Sequence, residues 1–111
     1  LDQGAAVNQG RTSDGIAPLH IAVHKGCTDI VSLLISSGAA VNQATTKDGL
    51  TPLFFAAVQG HTEMVRLLIG GGAAVNQAKT GDGGTPLYIA AEQSHTEVAR
   101  LLVSSGAAVN Q

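Results

Sequence analysis

Three side chains lie close enough along the chain to suggest chemistry. His20 and His24 are four residues apart, which on a helix places both imidazoles on one face, and Cys27 follows three positions later. Imidazole and thiolate suit zinc, but a closed zinc site takes four ligands and no fourth is spaced to complete this set. The residues therefore imply no metal and no cofactor. No serine is accompanied by a recurring histidine and acid in a nucleophile setting. His61 and His95 instead recur in one context, before Thr-Glu, as helix-start residues. No catalytic residue is assigned, and the chain is expected not to be an enzyme.

Other tempting patterns dissolve in the same way. Asp-Gly at Asp14, Asp48 and Asp82 offers one acid where a hard cation needs several oxygen donors at fixed spacing, so these read as turns. The glycines at Gly70 to Gly72 and around Asp82 match neither Gly-x-Gly-x-x-Gly nor Gly-Lys-Ser/Thr, and read as turn and cap residues.

The organisation behind these residues is a repeat. The string Gly-Ala-Ala-Val-Asn-Gln starts at Gly4, Gly38, Gly72 and Gly106, each 34 residues from the last. Within each unit Asp-Gly is followed by Ala17-Pro18-Leu19, Thr51-Pro52-Leu53 or Thr85-Pro86-Leu87. Thr before Pro is a helix start, because the hydroxyl caps a free N–H and proline at the first position gives up a donor without a partner. First helices are predicted near 18–25, 52–59 and 86–93. An acid in the favourable first turn (Asp29, Glu63, Glu97) opens second helices near 28–36, 62–70 and 96–104. In these, Ile30, Leu33 and Leu34, then Met64, Leu67 and Leu68, then Val98, Leu101 and Leu102 share a face by their i, i+3, i+4 spacing. Gly38, Gly72 and Gly106 are predicted as left-handed C-caps. Helices this short are unstable alone, so stability must come from stacking pair on pair.

The strings Asp-Gly-x-Thr-Pro-Leu-x-x-Ala-Ala, Gly-His-Thr-Glu-x-Val-x-Leu-Leu and Gly-Ala-x-Val-Asn together resemble the ankyrin repeat over nearly the whole chain. The resemblance implies an all-α repeat solenoid of helix-turn-helix pairs joined by β-hairpin-like loops. Its units would be residues 10–43, 44–77 and 78–111, after a 1–9 tail of a preceding one. It also assigns His20 to a structural position and makes Cys27 the counterpart of His61 and His95. Departures carry their own expectations. Units of 34 rather than the usual 33 residues place an extra loop residue at Thr45 and Lys79, with Arg11 equivalent. Ala17 lacks the cap oxygen of Thr51 and Thr85, usually worth about 0.5 to 2 kcal/mol, so the first helix should be least defined at its start. Phe54 and Tyr88 replace the usual histidine, and Ala40, Ala74 and Ala108 the usual acid. Gly70 and Gly71 should fray the end of their helix. Asparaginyl hydroxylation, known in such repeats, would fall on Asn42, Asn76 and Asn110, where a loop hydrogen-bonding role is the favoured reading.

Composition supports a folded, mixed-charge module. Leu, Ile, Val and Phe supply 29 of 111 residues, above the roughly 20 % below which chains stay disordered. A net charge of −2 with no run of like charge disfavours nucleic acid and anionic membrane as partners. No apolar stretch approaches a membrane span, Leu1 to Gly4 lack a signal pattern, and the single Cys27 forms no internal disulfide; an intracellular, cytoplasmic setting is expected.

Residues that differ between the three copies mark the candidate contact surface. They are Ser13, Lys47 and Gly81 before Asp-Gly; Ile16, Leu50 and Gly84 after it; and His24-Lys25, Val58-Gln59 and Glu92-Gln93 at the first helix's end. In the family these positions line the concave face, which implies a protein partner. Ile16, Leu50 and Val58 would form an apolar stripe, since exposed large apolar side chains mark contact sites. The alternative is an engineered or excised scaffold with no natural target: four identical hexapeptides favour it, while Ala17, Cys27 and Ser94 favour a natural array. Neither end carries a polar capping unit, so end-to-end association of copies is also expected.

Overall fold

The computed structural model describes residues 14–81 and 83–107. Six helices run in order: α1 (Pro18–His24), α2 (Thr28–Ser36), α3 (Pro52–Gln59), α4 (Thr62–Gly70), α5 (Pro86–Glu92) and α6 (Thr96–Ser104), with no strand among the described residues. The chain is thus an all-α stack of helix pairs. Helices α1, α3 and α5 pack in one layer, α2, α4 and α6 in a second, and each pair packs internally.

The helix starts follow from side-chain oxygens placed before proline. Thr51 Oγ1 accepts the Phe54 N–H and Thr85 Oγ1 accepts the Tyr88 N–H, both at 3.2 Å. Ala17 has no such oxygen, yet α1 begins at the equivalent residue, Pro18, rather than one turn late. His20 explains the difference: its Nδ1 accepts the Ala17 N–H at 2.9 Å, which fixes the entry from the other side.

The second helices end as their glycines dictate. Gly38, Gly72 and Gly106 have φ of 92°, 100° and 102°. In α2 the Ala39 N–H then reaches the Leu34 carbonyl at 3.0 Å and the Gly38 N–H the Ile35 carbonyl at 3.1 Å, satisfying carbonyls that the helix leaves open. The fraying expected at Gly70 does not occur. Helix α4 has the same nine residues as α2 and α6, because Gly71 closes onto Leu67 and Leu68 while packing beside Ile35, which a Cβ there would meet at 3.0 Å.

The core is a seam through the second helices, Val31 and Leu34, Val65 and Leu68, Val98 and Leu102, backed by Leu19 and Leu53 of the first. Met64 completes the α4 face as expected. Its counterpart Ile30 does not, nor does Leu33; each is 49 % exposed. Met64 and Leu67 lie on the side of their helix that meets the preceding pair, and on α2 that side faces away from α4.

Loops lock successive pairs through the backbone. The Thr46 N–H donates to the Asp14 carbonyl at 3.0 Å and the Thr80 N–H to the Asp48 carbonyl at 2.9 Å. The extra loop residue is a rung of the turn rather than a bulge: the Thr45 N–H donates to the Leu50 carbonyl at 3.0 Å, and the buried Thr45 Oγ1 accepts the Leu50 N–H at 3.0 Å.

One backbone position is strained. Ser94, in the turn between α5 and α6, has φ of 61° where Gly26 and Gly60 have 73° and 72°. Left-handed backbone costs a residue with a Cβ about 1 to 2 kcal/mol. Ser94→Gly should therefore raise the unfolding free energy by about 1 kcal/mol in urea titration. Gly60→Ser should lower it by more, since a Cβ at Gly60 would run into the His95 ring.

Candidate functional site

His20 is the most constrained polar side chain in the fold. It is 1 % exposed, its Nδ1 accepts from Ala17, and its Nε2–H donates to the carbonyls of Gln43 at 2.9 Å and Leu50 at 3.1 Å. Only the neutral Nε2–H tautomer serves all three. Burial lowers its pKa from the ordinary 6.5, partly opposed by the carbonyls of Leu50 and Gln43 and by Asp14. No lone pair remains for a metal. His24 packs edge-on to Phe55, and Cys27 Sγ lies 4.0 Å from the Lys25 carbonyl. Among the described residues no three His, Cys, Asp or Glu side chains gather as a metal would require.

The asparagines are tied into the stack. Asn42 Oδ1 accepts the Ala74 N–H at 2.7 Å and its Nδ2 donates to the Gly72 carbonyl at 3.2 Å, while Asn76 Nδ2 reaches the Gly106 carbonyl at 3.4 Å. Asn110 and Asp82 lie outside the described residues. Asp14 Oδ1 accepts the Ile16 N–H at 3.1 Å and so shapes its turn.

The variable positions fall along the first helices and the loops before them. His24, Lys25, Val58, Gln59, Glu92 and Gln93 are exposed at the ends of α1, α3 and α5, and Lys47 and Gly81 are exposed on the loops. Their backbone is fixed from the neighbouring pair: Gln59 Nε2 donates to the His24 carbonyl at 2.7 Å, His95 Nε2 to the Val58 carbonyl at 2.9 Å, and Thr80 Oγ1 to the Lys47 carbonyl at 3.2 Å. Two expectations need correction. Gly84 is buried, and its carbonyl accepts the Lys79 N–H. Leu50 and Ile16 are half-buried rather than exposed; the backbone of Leu50 is held by both Thr45 and His20, and the Ile16 N–H by Asp14. Ser13 lies outside the described residues.

The stripe of Ile16, Leu50 and Val58 accordingly does not form as such. Ile16, His24 and Lys25 instead share a groove of about 360 Å³ with His20, Ile21 and Phe55. Ile21 and Phe55 escaped the sequence reading because they occupy one equivalent helical position, large and apolar in each copy, which looks like core; Ile21 is 46 % exposed. A second groove, of about 340 Å³, opens between α2 and α4 where Gly70 and Gly71 carry no side chains, with Glu63 and Arg66 at its edge. Among the described residues no helix is long and apolar enough to cross a membrane.

A family model described as ankyrin repeats, three copies, matches residues 19–111. No curated protein matches the chain.

The linkage of His20 has a definite sign. In the folded chain its pKa lies below 6.5, so between the two values the unfolded chain binds more protons and stability rises with pH. The contribution is complete above about 6.5 and is lost as pH falls through the folded value. His20→Leu should cost about 2 kcal/mol at pH 7.5 by orphaning its backbone partners. Urea titrations of both proteins should show that deficit shrinking between pH 7.5 and pH 5; a constant deficit contradicts the assignment.

Proposed function

We propose that this chain, which belongs to the ankyrin-repeat family, is a non-enzymatic module that binds another protein on the face made by its loops and first helices. Ankyrin repeats are in general protein-interaction modules. The observation that supports the reading here is the contrast between fixed backbone and variable side chain at equivalent positions. His24-Lys25, Val58-Gln59 and Glu92-Gln93 present three different chemistries at equivalent positions, the ends of the three first helices. The face runs from basic at Lys25 and Lys47, through apolar Val58, to acidic Glu92, a pattern that suits an extended or folded protein surface. Its groove at α1, near the low end of the roughly 300 to 1,000 Å³ of small-molecule sites, suits a metabolite less well. An intracellular, cytoplasmic setting fits this role.

A second reading, association of copies end to end, is favoured by one set of exposures. Ile30 and Leu33 at one end are 49 % exposed and Tyr88 and Val103 at the other 51 % and 47 %, whereas their interior counterparts Met64 and Phe54 are 0 % and 6 %. Such a head-to-tail contact does not close on itself, so mass should climb with concentration in sedimentation and Leu33→Glu should abolish the climb. A constant monomer mass rules it out.

The main reading is tested by substitution. Lys47→Glu and Val58→Glu should each reduce retention of a captured protein partner at least tenfold at unchanged helical circular dichroism. Arg66→Ala and Arg100→Ala, on the second helices, should leave retention unchanged. Sensitivity in the reverse order would move the binding face to the other layer.

A further inference from the structure

Within that face, the groove at α1 has walls of one kind and a rim of another. Ile16, Ile21 and Phe55 make the walls, and the rings of His20 and His24 stand edge-on to Phe55, with centroids 5.7 and 6.4 Å away at 81° and 75°. His20 offers nothing polar to an occupant, since both nitrogens are spent on backbone groups. The walls around Ile16, Ile21 and Phe55 therefore suit an apolar group, with His24 and Lys25 left to meet polar groups at the edge.

The rim is cationic. Lys25 lines the groove and is exposed, and Lys47 is exposed on the following loop; among the described residues neither forms an ion pair, the ion pair found there joining Arg100 and Glu97 on α6. Asp14, the acid on the groove's own loop, accepts the Ile16 N–H and keeps its charge on the His20 side, while Lys25 carries the opposite charge at the exposed rim. An incoming carboxylate would thus meet lysines that form no ion pair with a described acid, in a chain whose net charge as a whole is −2. The volume of about 360 Å³ accommodates one large side chain, and the Gln59 amide on the His24 carbonyl brings the end of α3 against the rim, so a chain leaving the groove passes onto Val58 and Gln59.

We infer that this groove seats one large apolar side chain of an acidic segment of a partner protein, with an Asp or Glu of that segment beside Lys25. The inference rests on the reading of this face as a protein-binding surface and adds to it the chemistry of the bound segment.

The test uses acetylated, amidated nine-residue peptides of Gly and Ser carrying a central Leu-Glu, Ala-Glu or Leu-Lys pair, titrated against the whole chain. Amide NMR shifts of the chain, followed through the titration, give both affinity and location. Leu-Glu should bind at least tenfold more tightly than either of the others, with shifts centred on Ile21, Lys25 and Phe55. Lys25→Glu should invert the order of Leu-Glu and Leu-Lys, an inversion that mere loss of fold does not produce. An unchanged order overturns the inference. Shifts confined to Val58 and Glu92 overturn the groove while leaving the binding face intact, and so does retention of a captured partner by a chain that binds none of the peptides. If 3-phenylpropanoate binds as tightly as the Leu-Glu peptide, the groove is a small-molecule site and the inference fails.

Discussion

The apolar seam through Val31, Leu34, Val65, Leu68, Val98 and Leu102 holds together helices of seven to nine residues that water would otherwise melt. Each fully buried Val or Leu contributes about 1.5 to 3 kcal/mol, and much of this is lost to a helix pair on its own, because the seam lies between pairs as much as within them. Everything else in the fold is a consequence of having to bring one pair against the next. The small residues Ala22, Ala56 and Ala90 sit buried on the first helices, where close approach leaves room for little more.

Close approach also traps polar groups, and the chain resolves this with a few side chains that each serve several backbone partners. His20 ties the entry of α1 to two points, Gln43 and Leu50, of the single loop between α2 and α3. Asn42 uses both ends of its amide on the next unit. Among the described residues no buried side-chain nitrogen or oxygen lacks a partner. Because these residues fix much of the backbone, the ends of α1, α3 and α5 can differ in charge and size, with Gln59 the one that also reaches back to the preceding unit's His24 carbonyl.

The local rules were legible in the chain. The second helices fall on the residues that Asp29, Glu63, Glu97 and the trailing glycines mark, and the first helices stop one residue short of the expected ends only at Lys25 and Gln93, which cap instead of continuing. What one unit's pattern cannot express is what the next unit brings. Ile30 and Met64 have the same spacing and opposite burial. The groove needs Phe55 of one unit beside Ile16 and Ile21 of another, while the backbone of Leu50, which matches Ile16 in position, is held by a histidine that only its predecessor possesses. Ala17 and Gly70 misled for the same reason: their losses are made good by His20 and by packing at Ile35, not by anything adjacent in sequence.

The hydrogen bonds that join one pair to the next share a narrow range of separation along the chain. The most distant, from His95 to Val58, spans 37 residues. Loop closure therefore never demands more than about one repeat of chain, and its entropic cost rises by only about 0.6 kcal/mol for each doubling of length. The search can nucleate at any neighbouring pair and spread outward like a zipper, so lengthening the stack adds steps of the same size rather than a slower step.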